Sequence, residues 1–307
     1  MSAGSSVAVL DCGSNSTRLL VVDARGHTLA REMRITRLSA GVDSSGRLSD
    51  DALERSFDVL AQYRAVMDAH AVGRGALVAT SAVRDAANGA YFLERATAIT
   101  GVPARLLRGE EEAAFSFAGA TQGLAPDERT TMIVDIGGGS TELAVRVEGA
   151  VLGYSMQLGC VRVTERALGA GVVTAEREAA ARAMIASELD RAFVARPEFA
   201  ELVGRVRLVG LAGTVATLAQ LDTGRRDYDR AAVHHRRMTL ATVRDWQSRL
   251  GALTPSQRLA LPGMVAGRED VLVAGLVILE EVMMRVGTEE LLSSEDDILD
   301  GVAASLR

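Results

Sequence analysis

Ile133-Val134-Asp135-Ile136-Gly137-Gly138-Gly139-Ser140-Thr141-Glu142-Leu143 is the stretch that decides the fold. An apolar run ends on an aspartate, glycines and a Ser-Thr pair follow, and Leu143-Ala144-Val145 resumes the apolar pattern. This reads as strand, tight turn and returning strand. Glycines let the backbone turn there and come close to a ligand without a Cβ. Successive N–H groups in such a turn form a concave anion site, which makes Gly137, Gly138, Gly139 and Ser140 candidate phosphate contacts. An aspartate at the strand end beside a bound anion suits magnesium, so Asp135 is a candidate metal ligand.

The same device occurs earlier, in Val7-Ala8-Val9-Leu10-Asp11-Cys12-Gly13-Ser14-Asn15-Ser16-Thr17, with Leu19-Leu20-Val21-Val22 as its returning strand. Asp11 matches Asp135, Gly13 matches Gly137, Ser16-Thr17 match Ser140-Thr141, and Leu19 matches Leu143. A single Gly-rich turn is usually an ordinary hairpin. Two copies with matched aspartates, one in each half of the chain, imply two similar half-folds facing each other across a phosphate-binding cleft. Gly13, Ser14, Asn15, Ser16 and Arg18 then join the candidate phosphate contacts, and Asp11 and Glu142 join Asp135 as candidate metal ligands.

The 307 residues suffice for two domains with ample core. The expected division is 1–123 and 124–307, with the last helix able to pack back on the first domain. The net charge is −6, and every one of the 34 basic residues is arginine, so no lysine is present for a Schiff base or a P-loop. Overall acidity argues against nucleic-acid binding; a polyanionic ligand needs a local arginine lining. Two cysteines, Cys12 and Cys160, are too few for a disulfide framework and read as small buried residues. Met1-Ser2-Ala3-Gly4-Ser5-Ser6 has no basic or long apolar segment, and no run of about 20 apolar residues exists. A cytoplasmic protein, neither secreted nor membrane-bound, is expected.

Further along, Thr28–Thr36 reads as a third strand, with Arg37 at its end directed to the cleft, and 41–47 as a polar loop. Ser49 caps a helix to about Ala71. A buried strand over 75–80 runs into Ser81-Ala82-Val83-Arg84, where Thr80 or Ser81 can cap the next helix and Arg84 can fork onto phosphate oxygens. Gly109-Glu110-Glu111-Glu112 opens another helix: acids there suit the macrodipole, and Glu112, directly before the apolar helix, can be held rigidly. Residues 121–130 form the linker. In the second half, 149–156 is a third strand, 157–165 starts a helix, and Gly210-Leu211-Ala212-Gly213-Thr214 is a small-residue turn opening a helix, a third candidate anion contact through Gly213 and Thr214. The 225–237 loop, rich in arginine, reads either as a polyanion landing or as solvated. The histidines lack zinc spacing. Strand-rich starts followed by alternating helices and strands make an α/β protein.

These residues resemble the exopolyphosphatase and guanosine pentaphosphate phosphatase family, within the actin-like, sugar-kinase and Hsp70 superfamily. Asp11–Leu19 is similar to its first phosphate motif, Thr80–Asn88 to its Thr-Ser-Ala-x-Arg-x-Ala-x-Asn segment, Gly109–Ala113 to its Gly-x-Glu-Glu-Ala element and Asp135–Glu142 to its second phosphate motif. Leu158–Glu165, Gly210–Thr214 and Arg268–Gly275 also match family segments. The resemblance implies an α/β fold of two actin-like (ribonuclease-H-like) domains with an interdomain active-site cleft. It implies Glu112 as the catalytic glutamate, a homodimer, and the short form without the C-terminal HD-type domain.

The expected reaction is hydrolysis of a terminal phosphoanhydride of inorganic polyphosphate, of short chains, releasing orthophosphate. Positioning and charge neutralisation dominate phosphoryl transfer. The catalytic residues would be Glu112 as general base, Asp135 holding magnesium (manganese as substitute) and Arg84 neutralising phosphoryl oxygens, with Ser81 as a further phosphate contact. Three alternatives stand against this reading. One is the 5′-phosphate of guanosine pentaphosphate as substrate, another an actin-like ATPase or sugar kinase, and the third a catalytically silent polyphosphate-binding protein.

Overall fold

The computed structural model describes residues 6–307; the first five residues, part of the stretch read as lacking a leader, lie outside them. The chain divides into two compact units, Met1–Gly119 with Ile298–Arg307, and Ala120–Asp297. The division falls inside the helix Gly109–Thr121 rather than at 123/124, and the closing helix Ile298–Ser305 groups with the first unit.

In the first unit, β1 (Ser6–Cys12), β2 (Ser16–Val22), β3 (Thr28–Ile35), β4 (Val72–Ala79) and β5 (Ala104–Leu106) form one sheet in the order β3-β2-β1-β4-β5. β1, β2 and β3 are an antiparallel meander, while β4 pairs with β1 and β5 in parallel. Ala8 and Leu10 of β1 join a core with Leu53, Leu60 and Met67 of the helix Asp50–Ala69 and Phe92 of the helix Gly89–Thr100. Val7 and Val9 join a second core with Ile298, Leu299 and Val302. Both faces are therefore covered, which is why β1 reads as an unbroken apolar run rather than an alternation. Ser49 caps the Asp50 helix as expected, its Oγ accepting from Ala52 N at 3.3 Å. A Cβ on Gly301 would lie 2.0 Å from the Phe115 carbonyl oxygen, so only glycine lets the closing helix approach this closely.

The second unit carries β6 (Thr130–Ile136), β7 (Thr141–Val147), β8 (Ala150–Met156), β9 (Val206–Leu211), β10 (Arg237–Thr239) and β11 (Glu290–Ser293), in the order β10-β11-β9-β6-β7-β8. Read from β8, the run β8-β7-β6-β9-β11 repeats the first unit's order and its strand directions, with β10 added antiparallel at the edge. Each unit thus has the ribonuclease-H-like arrangement of an actin-like domain. The helix Leu272–Val286 is buried almost all round. Its buried acid Glu280 is held by Arg182 at 2.6 Å and Arg244 at 2.7 Å, as a carboxylate taken out of water requires.

Three local expectations change. The 41–47 loop contains a helical turn, Val42–Ser45, bounded by Gly41 and Gly46 at φ 74 and 67. The 157–165 helix is a short α turn, Cys160–Val163, continued as a π turn, Thr164–Leu168. The 225–237 segment holds a short helix and the start of β10, and four of its five arginines are matched by acids: Arg225 with Asp229, Arg230 with Asp296, Arg236 with Asp222 and Arg237 with Glu290. Most of its positive charge is therefore already neutralised, against the reading of a polyanion landing. No helix among the described residues is long and apolar enough to cross a membrane.

His235, at φ 59, stacks on His234 with ring centroids 3.7 Å apart. Burial pushes its pKa below the ordinary histidine value, and Asp296 opposes that shift. A base whose pKa is depressed by folding binds more protons when unfolded, so stability falls as pH drops below about 6.5. His235→Asn removes the titration and tolerates the left-handed backbone. The wild type should lose more stability between pH 7 and pH 5 than this variant does; equal losses in urea melts would refute it.

Candidate functional site

Each unit places one turn at the end of its first strand. In the first unit, Gly13 N donates to Ser16 O at 3.0 Å, closing the turn. The Asn15 carbonyl accepts from Thr36 N at 3.0 Å and Arg37 N at 2.9 Å, and the Ser14 carbonyl from Ser39 N at 2.9 Å. A trans peptide sets its N–H opposite its C=O. With those carbonyls tied to the 36–39 segment, the N–H groups of Asn15 and Ser16 face away from it. Arg37, at φ 49, serves through its backbone, and its side chain is exposed. Ser14 Oγ and Ser81 Oγ are 3.0 Å apart, which brings Ser81 from the end of β4 onto the turn. Thr80 stands at the N-cap position before Ser81 without a side-chain cap bond.

Asp11 and Arg18 are cross-strand partners in the β1–β2 register. Arg18 Nε and Nη2 both donate to Asp11 Oδ2, at 2.9 and 2.6 Å. The first aspartate therefore answers a guanidinium. Arg84 Nη1 donates to the Leu107 carbonyl at 3.2 Å and lies 3.5 Å from Glu112 Oε2. The structure separates the clustered glutamates. Glu111 is held by Arg105 and Arg108, and the Arg108 backbone N–H above all, then its side chain, pull its carboxyl below the usual range. Glu112 instead is 7% exposed and faces Arg84.

In the second unit, Gly137 N donates to Ser140 O at 3.0 Å. The Gly137 carbonyl accepts from Cys160 N at 2.9 Å, and the Gly138 carbonyl from Val161 N and Arg162 N at 2.9 and 3.2 Å. Arg162 Nε donates to the Gly139 carbonyl at 2.9 Å. A Cβ on Gly159 would lie 2.3 Å from the Gly138 oxygen, so this position must be glycine for the segment to back the turn. Asp135 pairs in register with Glu142, and Glu142 with Ser155, whose Oγ donates to Glu142 Oε1 at 2.6 Å. Directly opposed residues share a face of the sheet. The row Asp135–Glu142–Ser155 thus occupies the place of Asp11–Arg18–Met33, with the charge at the second position reversed.

That reversal bears on metal binding. Magnesium is held by one or two carboxylates together with substrate phosphates. Asp135 and Glu142, 8% and 1% exposed, supply such an oxygen pair. Asp11, bonded to Arg18, fits less well. No group of three or more His, Cys, Asp or Glu suited to a metal gathers among the described residues. Thr214 is buried in the helix Ala212–Asp222, and a Cβ on Gly213 would lie 1.8 Å from Arg268 Cζ. Arg268, itself buried, was matched by motif but given no role; a glycine required in the first turn of a helix is the sequence signal that marks its approach. Cys12 and Cys160 are free and buried, and burial, chiefly, raises both thiol pKa values, so neither is a ready nucleophile.

The sequence model of the Ppx/GppA phosphatase family matches residues 19–306. Exopolyphosphatase 2 of Mycobacterium tuberculosis is 39% identical to this chain, covering 98% of each. The crystal structure of an exopolyphosphatase-like protein is similar with a TM-score of 0.90 at 32% identity, over 98% of both chains. That of an exopolyphosphatase from Cytophaga hutchinsonii is similar at 0.87 and 25% identity, over 98% of this chain and 97% of the other.

Proposed function

The chain belongs to the Ppx/GppA phosphatase family, and on that premise we propose that it is an exopolyphosphatase that cleaves terminal phosphoanhydride bonds of inorganic polyphosphate and releases orthophosphate. The observation that carries the reading is the pairing of Glu112 with Arg84: a carboxylate 7% exposed, with a guanidinium nitrogen 3.5 Å away. A general base and a cation for phosphoryl oxygens are the two side chains that anhydride hydrolysis needs beside a phosphate cradle.

Glu112 takes a proton from the attacking water as its oxygen bonds to the terminal phosphorus. The bridging P–O bond breaks, and the shortened chain leaves with that oxygen. Arg84 balances charge on the phosphoryl oxygens. Backbone N–H groups of Asn15 and Ser16, and of Gly138, Gly139 and Ser140, bind phosphate oxygens, with the Ser14 and Ser81 hydroxyls and, in the second unit, Gly213 and Thr214. Arg18, oriented by Asp11, adds positive charge. Asp135 and Glu142 would hold magnesium, which neutralises phosphate charge when bound. Free buried thiols suit a reducing cytoplasm.

Phosphate release should be measured with magnesium from short polyphosphate, long polyphosphate and guanosine pentaphosphate side by side. Fastest release from short polyphosphate, abolished by chelator, is expected. Preference for guanosine pentaphosphate, or binding without release, would overturn the reading.

A further inference from the structure

We propose that Arg162 is a positioning residue that sets the anion-binding geometry of the second glycine turn through one hydrogen bond, from its Nε to the Gly139 carbonyl. The inference rests on the reading of that turn as a phosphate cradle. Three consecutive carbonyls, Gly137, Gly138 and Gly139, are drawn to one side by the segment 160–162. Backbone donors serve the first two, while among the described residues the third accepts from the Arg162 side chain at 2.9 Å. Because each peptide is trans, these bonds turn the N–H groups of Gly138, Gly139 and Ser140 to the opposite side, as three neighbouring donors. Glycine, without a Cβ, is free to rotate its peptides. The Gly139–Ser140 peptide would therefore lose its fixed direction if the side-chain donor went, and with it the Ser140 N–H at the end of the row.

The surroundings support a positioning role. Gly159 lets the segment press on the turn, since any Cβ there would meet the Gly138 carbonyl at 2.3 Å. The segment then passes into the π turn Thr164–Leu168, an irregularity frequent at functional sites. The first unit ties its turn with backbone N–H groups of Thr36, Arg37 and Ser39. In the second, a side chain completes the task.

A pair of variants separates positioning from direct charge contact. In Arg162→Gln, Nε2 stands at the same distance along the side chain as arginine Nε, so the donor is kept and the charge lost. In Arg162→Met, length is kept and the donor lost. Arg162→Met should raise KM for polyphosphate about tenfold, the loss of one oriented hydrogen bond, with kcat changed much less, while Arg162→Gln stays near wild type. Equal defects in both would overturn the proposal in favour of a charge contact with substrate, and no defect in either would also overturn it. Amide resonances of Gly138, Gly139 and Ser140 in protein without substrate provide a readout independent of turnover. They should move in Arg162→Met and remain near wild type in Arg162→Gln; unmoved resonances in Arg162→Met refute the positioning role. Wild-type protein without phosphatase activity would count against the proposed function, leaving the resonances to decide this inference.

Discussion

Glu112→Gln should yield a folded protein that still binds polyphosphate but turns it over about 10²–10⁴-fold more slowly, the usual worth of a general base. Glutamine keeps the shape of the side chain and cannot accept the proton. Glu112 opens the helix Gly109–Thr121 with its backbone N donating to Arg108 O at 2.9 Å, and that contact does not involve the carboxylate. The melting temperature should therefore move little. Arg84 loses an anionic neighbour at 3.5 Å, so substrate affinity should hold or rise as the guanidinium turns fully to phosphate. Initial rates and a binding isotherm on the same preparation check both parts. Turnover within a few-fold of wild type would remove Glu112 from the role of base.

Arg258→Met should cost stability rather than chemistry, by about 3–5 kcal/mol, at the severe end for a single substitution. Arg258 is fully buried, and its guanidinium donates to the carbonyls of Leu250 at 2.8 Å, Ala170 at 2.9 Å, Glu269 at 3.0 Å and Gly171 at 2.7 Å. One side chain thus fastens the end of the helix Leu240–Gly251, the 169–171 loop and the approach to Arg268. Burial lowers the arginine's pKa, and the Asp270 carboxylate opposes that shift. Methionine fills most of the volume but leaves those carbonyls without this donor, and each buried unsatisfied group costs about 1–3 kcal/mol. Urea denaturation at neutral pH checks it; a loss below about 1 kcal/mol would show that water or rearranged backbone replaces the arginine.

Hairpins, the Ser49 helix cap and the duplicated order of elements are legible because they rest on local patterns: apolar runs, glycine turns, and a serine before a helix, here accepting a cap bond. The role proposed for Glu112 rests on resemblance, and what sets it apart from Glu111, the neighbouring Arg84, depends on tertiary placement. Asp11 and Asp135 looked equivalent because the match was made on identical residues. Their surroundings differ through Arg18 and Glu142, which stand opposite them only once strand register is known. The π turn was invisible because packing, not propensity, imposes it. Arg258 carries no local signal of burial, since two of its acceptors, Ala170 and Gly171, lie more than 80 residues away in the chain.

The reversal of sign between Arg18 and Glu142 means that the twin hairpins are no longer interchangeable spare parts. Their backbones would graft onto one another, yet a chimera carrying the first hairpin in both units would set a guanidinium in place of Glu142, one of the two carboxylates proposed to hold magnesium. The reverse chimera would pile acids around an incoming polyanion. A symmetrised version of this chain should fold yet lose either the proposed metal site or the proposed phosphate site.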